Sequence, residues 1–102
     1  MVERQQDEVR GVAYQANPDV SCGEEVDGAV LYNPDTDGTV ILNPAGRALW
    51  AFMAAPRTVE QMAALLAATY RDVTSAQATE DVTRFVRSLT PDFLREAGDG
   101  DL

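Results

Sequence analysis

Three helix-start signals follow one another after residue 42, and each precedes an apolar stripe of helical period, which commits this part of the chain to consecutive helices. Asn43-Pro44 opens the first. Asn43 can accept from free backbone N–H groups, and Pro44 suits the first helical turn because its missing donor would be unpaired there anyway. Ala45, Ala48, Leu49, Phe52 and Met53 form its stripe, with Trp50 beside it, and Pro56 ends it. Thr58-Val59-Glu60-Gln61 has the capping-box pattern. It leads into Val59, Met62, Leu65, Leu66 and Tyr70. Thr74 or Ser75, with Gln77 three residues after Thr74, opens the third helix, whose stripe is Ala78, Val82, Phe85, Val86 and Leu89. Thr90-Pro91 stops it, since Pro91 has no N–H and restricts Thr90. The segment 92–97 is expected to add a turn of helix.

The preceding residues read as strands. Residues 12–14 form a short strand, Asn17-Pro18-Asp19 a turn, and residues 20–23 a weak edge strand. The run 26–32 is a better strand, with Gly28 placed as at a bulge or a close backbone contact. Asn33-Pro34-Asp35-Thr36-Asp37-Gly38 is dense in turn formers, and Asp37-Gly38 can supply positive φ. Thr39, Val40, Ile41 and Leu42 return as a β-branched strand. The region 26–42 is therefore a β-hairpin with a six-residue loop. Strands first and helices after them mean an α+β fold. A chain of 102 residues makes one domain, here 11–97, with loose ends at 1–10 and 98–102. Its expected core includes Trp50, Leu65, Leu66, Val82, Val86 and Leu89.

Charge and composition narrow the function. The 17 carboxylates outweigh eight basic residues, all of them arginine, and the formal charge is −9. Such a field repels phosphate backbones and anionic membranes. There is no histidine and a single cysteine, Cys22, so neither the usual catalytic triads nor an internal disulfide can form. No bound metal or other cofactor is expected. The acidic runs Glu24-Glu25-Asp27 and Asp35-Thr36-Asp37 read as solvated turns. A calcium loop fails at Asp35-Thr36-Asp37-Gly38, because Pro44 stands where the bidentate Glu belongs. No glycine-rich phosphate loop is present. The N-terminus lacks a signal peptide's apolar core and no stretch has membrane-spanning length, so a cytoplasmic protein is expected.

The edge of the sheet is different. A small sheet has edges, and the strand formed by Thr39, Val40, Ile41 and Leu42 carries no proline and no charge to blunt one. Such an edge is either covered by a neighbouring element or meant for an added peptide strand.

The run Asp27-Gly28-Ala29-Val30-Leu31-Tyr32, a turn, and Ile41-Leu42-Asn43-Pro44-Ala45-Gly46-Arg47-Ala48-Leu49-Trp50 form a pattern. Arg57-Thr58-Val59-Glu60-Gln61-Met62, then Leu65-Leu66 and Tyr70, then Asp81-Val82, Phe85-Val86 and Leu89 complete it. Together they resemble the PqqD-like family, the RiPP recognition elements. The resemblance implies a small three-stranded antiparallel sheet followed by three helices, winged-helix-like in arrangement. It implies no catalytic residues. It implies binding of a precursor peptide's leader, as a strand added to residues 39–42 in a groove against the third helix, and presentation of that peptide to a modifying enzyme such as a radical-SAM enzyme, a cyclase or a leader peptidase. The insertion Thr90-Pro91-Asp92-Phe93-Leu94 departs from the family's usual end.

On the third helix, Asp81, Arg84, Phe85 and Ser88 lie toward one flank of the core stripe, and Thr79, Thr83 and Arg87 toward the other. The first flank is chosen as the groove wall, because Phe85 offers an apolar surface and Asp81 and Arg84 can orient a charged leader. The expected state is a monomer or weak homodimer. The alternatives are a winged-helix nucleic-acid binder, which the −9 charge and Glu80 and Asp81 on the third helix oppose, and an assembly domain that uses the open edge to join another subunit.

Overall fold

The hairpin expected from the sequence lies at the centre of the structure, a computed structural model that describes residues 12–97. In chain order the elements are β1 (Ala13–Ala16), β2 (Ser21–Glu25), β3 (Gly28–Asn33), β4 (Gly38–Leu42), α1 (Pro44–Phe52), β5 (Arg57–Thr58), α2 (Val59–Thr69), α3 (Ser75–Leu89) and β6 (Leu94–Glu96). The expected loose ends, 1–10 and 98–102, lie outside the described residues.

β2, β3 and β4 form an antiparallel sheet in that order, with Cys22 opposite Leu31 and Leu31 opposite Val40. Strand alternation sorts its faces. Ala29, Leu31 and Leu42 are buried toward the helices, whereas Thr39, Ile41 and Tyr32 are exposed on the other face. The hairpin is tighter than expected: Asn33 pairs with Gly38, which leaves residues 34–37 as the loop, and Asp37 takes φ 62° to close it. β3 also begins later than expected, at Gly28, so Val26 sits in the turn before it and is 96% exposed. Gly28 is required where it stands. Its φ is +150°, and a Cβ there would fall 1.8 Å from the Leu42 carbonyl oxygen.

The helix starts follow the sequence signals. The Asn43 side chain accepts from the Gly46 N–H at 2.7 Å, and Pro44 occupies the first turn. Thr58 and Gln61 close one capping box, at 3.1 and 2.9 Å, and Thr74 and Gln77 close another, at 3.1 and 3.2 Å. Between α1 and α2 the Arg57 guanidinium lies over the Phe52 ring and its Nε donates to the Phe52 carbonyl, so the turn is fastened at both ends.

A second sheet, in the order β5-β1-β6, was not foreseen. The expected helical turn over 92–97 is replaced by β6, antiparallel to β1 with Tyr14 opposite Glu96. The reason is tertiary. Phe93 and Leu94 are buried, the Phe93 carbonyl accepts from the Asn17 N–H, and the Ala97 N–H donates to the Ala13 carbonyl. A helical turn would have left those partners unpaired and Leu94 outside the core. Burial raises the Tyr14 hydroxyl above its usual pKa, the Glu96 charge adds to this, and Arg87 offsets part of it.

The core lies between the main sheet and the helices, with Leu31, Met53, Val59, Met62, Val82, Val86 and Leu94 fully buried and Leu66 and Leu89 nearly so. Two expected core residues, Trp50 and Leu65, are only half-buried. Each stands one residue from a position that faces inward, Leu49 and Leu66, so the 100° step carries it to the margin of the stripe. Leu66→Ala should cost about 2–5 kcal/mol, read as a lower urea midpoint at unchanged slope. A shift worth less than about 1 kcal/mol would place Leu66 outside the core that α2 and α3 share.

Candidate functional site

β4 has β3 along one edge and no strand along the other among the described residues. Its five residues carry no charge and no proline, so the free N–H and C=O groups on that side are unprotected. The four expected site residues on this strand divide by face. Thr39 and Ile41 are exposed, Val40 is half-buried, and Leu42 is only 5% exposed. Leu42 therefore offers its backbone alone, because its side chain belongs to the core.

Two contacts place α3 relative to this edge. A Cβ built on Gly46 would come within 3.3 Å of both the Leu42 Cβ and Phe85 Cε1. One built on Gly38 would lie 3.4 Å from the Phe93 ring. Phe85 thus sits by the last residue of β4, and Phe93, just past the helix, by the first. The helix and its continuation run alongside β4 in the opposite direction. The flank beside the β4–α1 junction carries Asp81, Phe85 and Ser88. On the opposite flank Arg87 is close enough to β1 for its charge to act on Tyr14. Thr83 on that flank donates back to the Thr79 carbonyl at 2.7 Å.

The polar groups of the chosen flank are partly engaged with one another. Arg84 donates to Asp81 at 3.3 Å and reaches Glu80 at 3.9 Å. All three are largely exposed, so these pairs are worth about 0–1 kcal/mol and are easily exchanged for an incoming group. The Ser88 hydroxyl donates to the Phe85 carbonyl at 2.8 Å. At the Gly38 end the Tyr32 hydroxyl donates to Asp37 at 2.7 Å. That bond holds the phenolic proton and raises the Tyr32 pKa.

Sequence reasoning missed two features of this region. The first is Asn33, the one buried polar side chain among the described residues. Its side-chain oxygen accepts from the Asp35 and Thr36 N–H groups, and its amide donates to the Asp92 carbonyl. It thereby ties the β3–β4 loop to the segment after α3. Asn33→Ala should cost about 1–3 kcal/mol, because the part-buried hydrogen bonds from its side chain to three backbone groups are lost, and it should broaden the amide signals of residues 34–37 in an NMR spectrum. Unchanged stability would mean that water replaces the side chain. The second is a cavity of about 460 Å³ beyond the Leu42 end, lined by residues of α1, α2, α3 and the α2–α3 turn, Asp81 among them. Asx-turn chemistry could have pointed to Asn33; no local signal announces a cavity assembled from separate helices.

Cys22 and the run Glu24-Glu25-Asp27 are exposed, and among the described residues no three metal-ligating side chains converge.

A small α+β domain with an uncharged edge strand, β4, and a helix beside it is the class that this geometry defines. The sequence profile of the family described as coenzyme PQQ synthesis protein D (PqqD) matches residues 28–91. The chain belongs to the PqqD family, in agreement with the resemblance read over 27–89. No curated protein sequence matches it significantly. Among solved structures, it is similar to a chain described as TbiB1 in complex with the TbiA(beta) leader peptide. The identity is 20%, the TM-score 0.69, and the match covers 85% of this chain and 99% of the other. It is also similar to lasso peptide synthetase B1 complexed with the leader peptide, at 20% identity and a TM-score of 0.67, covering 79% and 94% of the two chains. Both likenesses concern the fold: a three-stranded antiparallel sheet with three helices.

Proposed function

We propose that this chain is a non-catalytic adaptor that binds the leader of a ribosomally made precursor peptide and presents it to a modifying enzyme. The observation that carries this reading is the uncharged open edge of β4, with α3 running beside it. The leader adds antiparallel to Thr39, Val40, Ile41 and Leu42, where backbone pairing supplies affinity. Asp81, Arg84, Phe85 and Ser88 supply specificity from the helix. The two similar structures, each described as holding a leader peptide, support the assignment. The modifying enzyme is a radical-SAM enzyme, a cyclase or a leader peptidase. The chain acts in the cytoplasm as a monomer or weak homodimer. Among the described residues no helix is long and apolar enough to cross a membrane. Nucleic acid is a poor partner for a chain of charge −9.

Titration of isotope-labelled protein with the leader of the co-encoded precursor tests the reading. Amide shifts should concentrate in residues 39–42 and 81–88. Shifts confined to α2 would place the site elsewhere. Sedimentation of the free protein as a tight dimer would favour the assembly reading, in which the edge joins subunits.

A further inference from the structure

The cavity beyond the Leu42 end of β4 has a composition that selects its ligand. Ala45, Leu66, Tyr70 and Val73 form apolar walls, and Asp72 and Asp81 stand on the same lining. Both carboxylates are exposed rather than sealed in. Thr69 and Arg71 complete the rim, and Arg84 pairs with Asp81 beside it. Asp81 also belongs to the α3 flank that borders the groove, one turn before Phe85. Ala45 lies one residue before Gly46, which touches Phe85 and Leu42 in the sense given above. The cavity therefore continues the groove rather than standing apart from it.

We infer that this cavity takes a basic side chain, arginine or lysine, from the peptide bound along β4. The inference rests on the peptide-binding reading and names what that peptide must carry. A long basic side chain has an aliphatic stem and a charged head. The apolar walls fit the stem, Asp72 and Asp81 meet the head, and half-buried Tyr70 adds an aromatic side chain to the same lining. A purely aliphatic side chain would cover the walls but would give Asp72 no partner and Asp81 none beyond its exposed pair with Arg84. An acidic side chain would meet like charge. The wider field agrees: residues 12–46, which include all of β2, β3 and β4, contain six carboxylates and no basic residue. Of the nearby arginines, Arg84 is paired with Asp81 and Glu80 through exposed, exchangeable contacts, Arg47 donates to the Glu25 carbonyl, and Arg71 stands on the rim itself.

The test uses N-acetylargininamide and its uncharged analogue N-acetylnorleucinamide, each titrated into labelled full-length protein at low salt. The arginine compound should shift the amides of Ala45, Leu66, Tyr70, Val73 and Asp81. It should bind about fivefold or more tightly than the norleucine compound, a ratio that falls as salt screens it. The double variant Asp72→Asn, Asp81→Asn, with helix content checked by circular dichroism, should lose that preference and retain weak binding of both. Equal or tighter binding of norleucinamide, shifts elsewhere, or no binding of either compound would overturn the inference. The leader titration separates the two levels. If the leader perturbs β4 and α3 but neither probe enters the cavity, only this inference fails. If argininamide fills the cavity but the leader perturbs neither element, the peptide-binding reading fails instead.

Discussion

Gly28→Ala is expected to destabilise the domain by about 2–6 kcal/mol. Two costs combine. An L-residue held at φ +150° carries strain of roughly 1–3 kcal/mol. The new methyl carbon would also begin 1.8 Å from the Leu42 carbonyl oxygen, and relieving that overlap by moving β3 away from β4 costs about 1–3 kcal/mol more. The obstacle is backbone, so no side chain can rotate aside. A domain of this length has a total stability of only about 5–15 kcal/mol, so a substantial fraction would be lost. Gly23→Ala is the control, because the nearest atom to its Cβ is the Val30 carbonyl oxygen at 4.0 Å. It should change stability by less than about 1 kcal/mol. Urea unfolding of both variants measures the contrast. Equal midpoints would show that the β3–β4 junction relaxes freely and that Gly28 is dispensable.

Proline scanning of β4 should split the two central positions into opposite outcomes. Along a strand, successive N–H groups point to alternate edges. Of Val40 and Ile41, one donates toward β3 and the other toward the open side. Proline at the first breaks a ladder bond and should unfold the hairpin, at a cost of about 3 kcal/mol or more by analogy with other interior prolines. Proline at the second removes a donor that only an added strand would use. That variant should keep its unfolding midpoint within about 1 kcal/mol, yet lose leader affinity by at least about tenfold, the effect of roughly 1.4 kcal/mol. Calorimetric titration alongside thermal unfolding reads both. If the folded variant binds the leader as well as the parent chain, strand addition to β4 is wrong, and the α3 flank would have to hold the peptide by side chains alone.

Much of this molecule was legible from short stretches of sequence, and the reason is locality. The caps at Asn43, Thr58 and Thr74 each act within three residues, and all three helices begin where those caps stand. Asp37-Gly38 closes the hairpin through one backbone angle. The uncharged edge of β4 was visible as an absence of proline and charge. What lies between distant residues was not legible. β6 forms because residues 94–96 meet β1, some eighty positions earlier, and because Leu94 finds a place in the core. Helical period alone puts Trp50 and Leu65 near an apolar stripe; only the packing of neighbouring elements sets how wide a stripe is covered, and it leaves both at the margin. The 100° step defines two flanks on α3 and cannot say which one meets β4. What the fold adds is that Phe85 lies close to Gly46, just past the end of β4. The cavity holding Asp81 exists for the same reason. Its walls come from helices whose contact is set by burial of the shared core, and no run of adjacent residues encodes it.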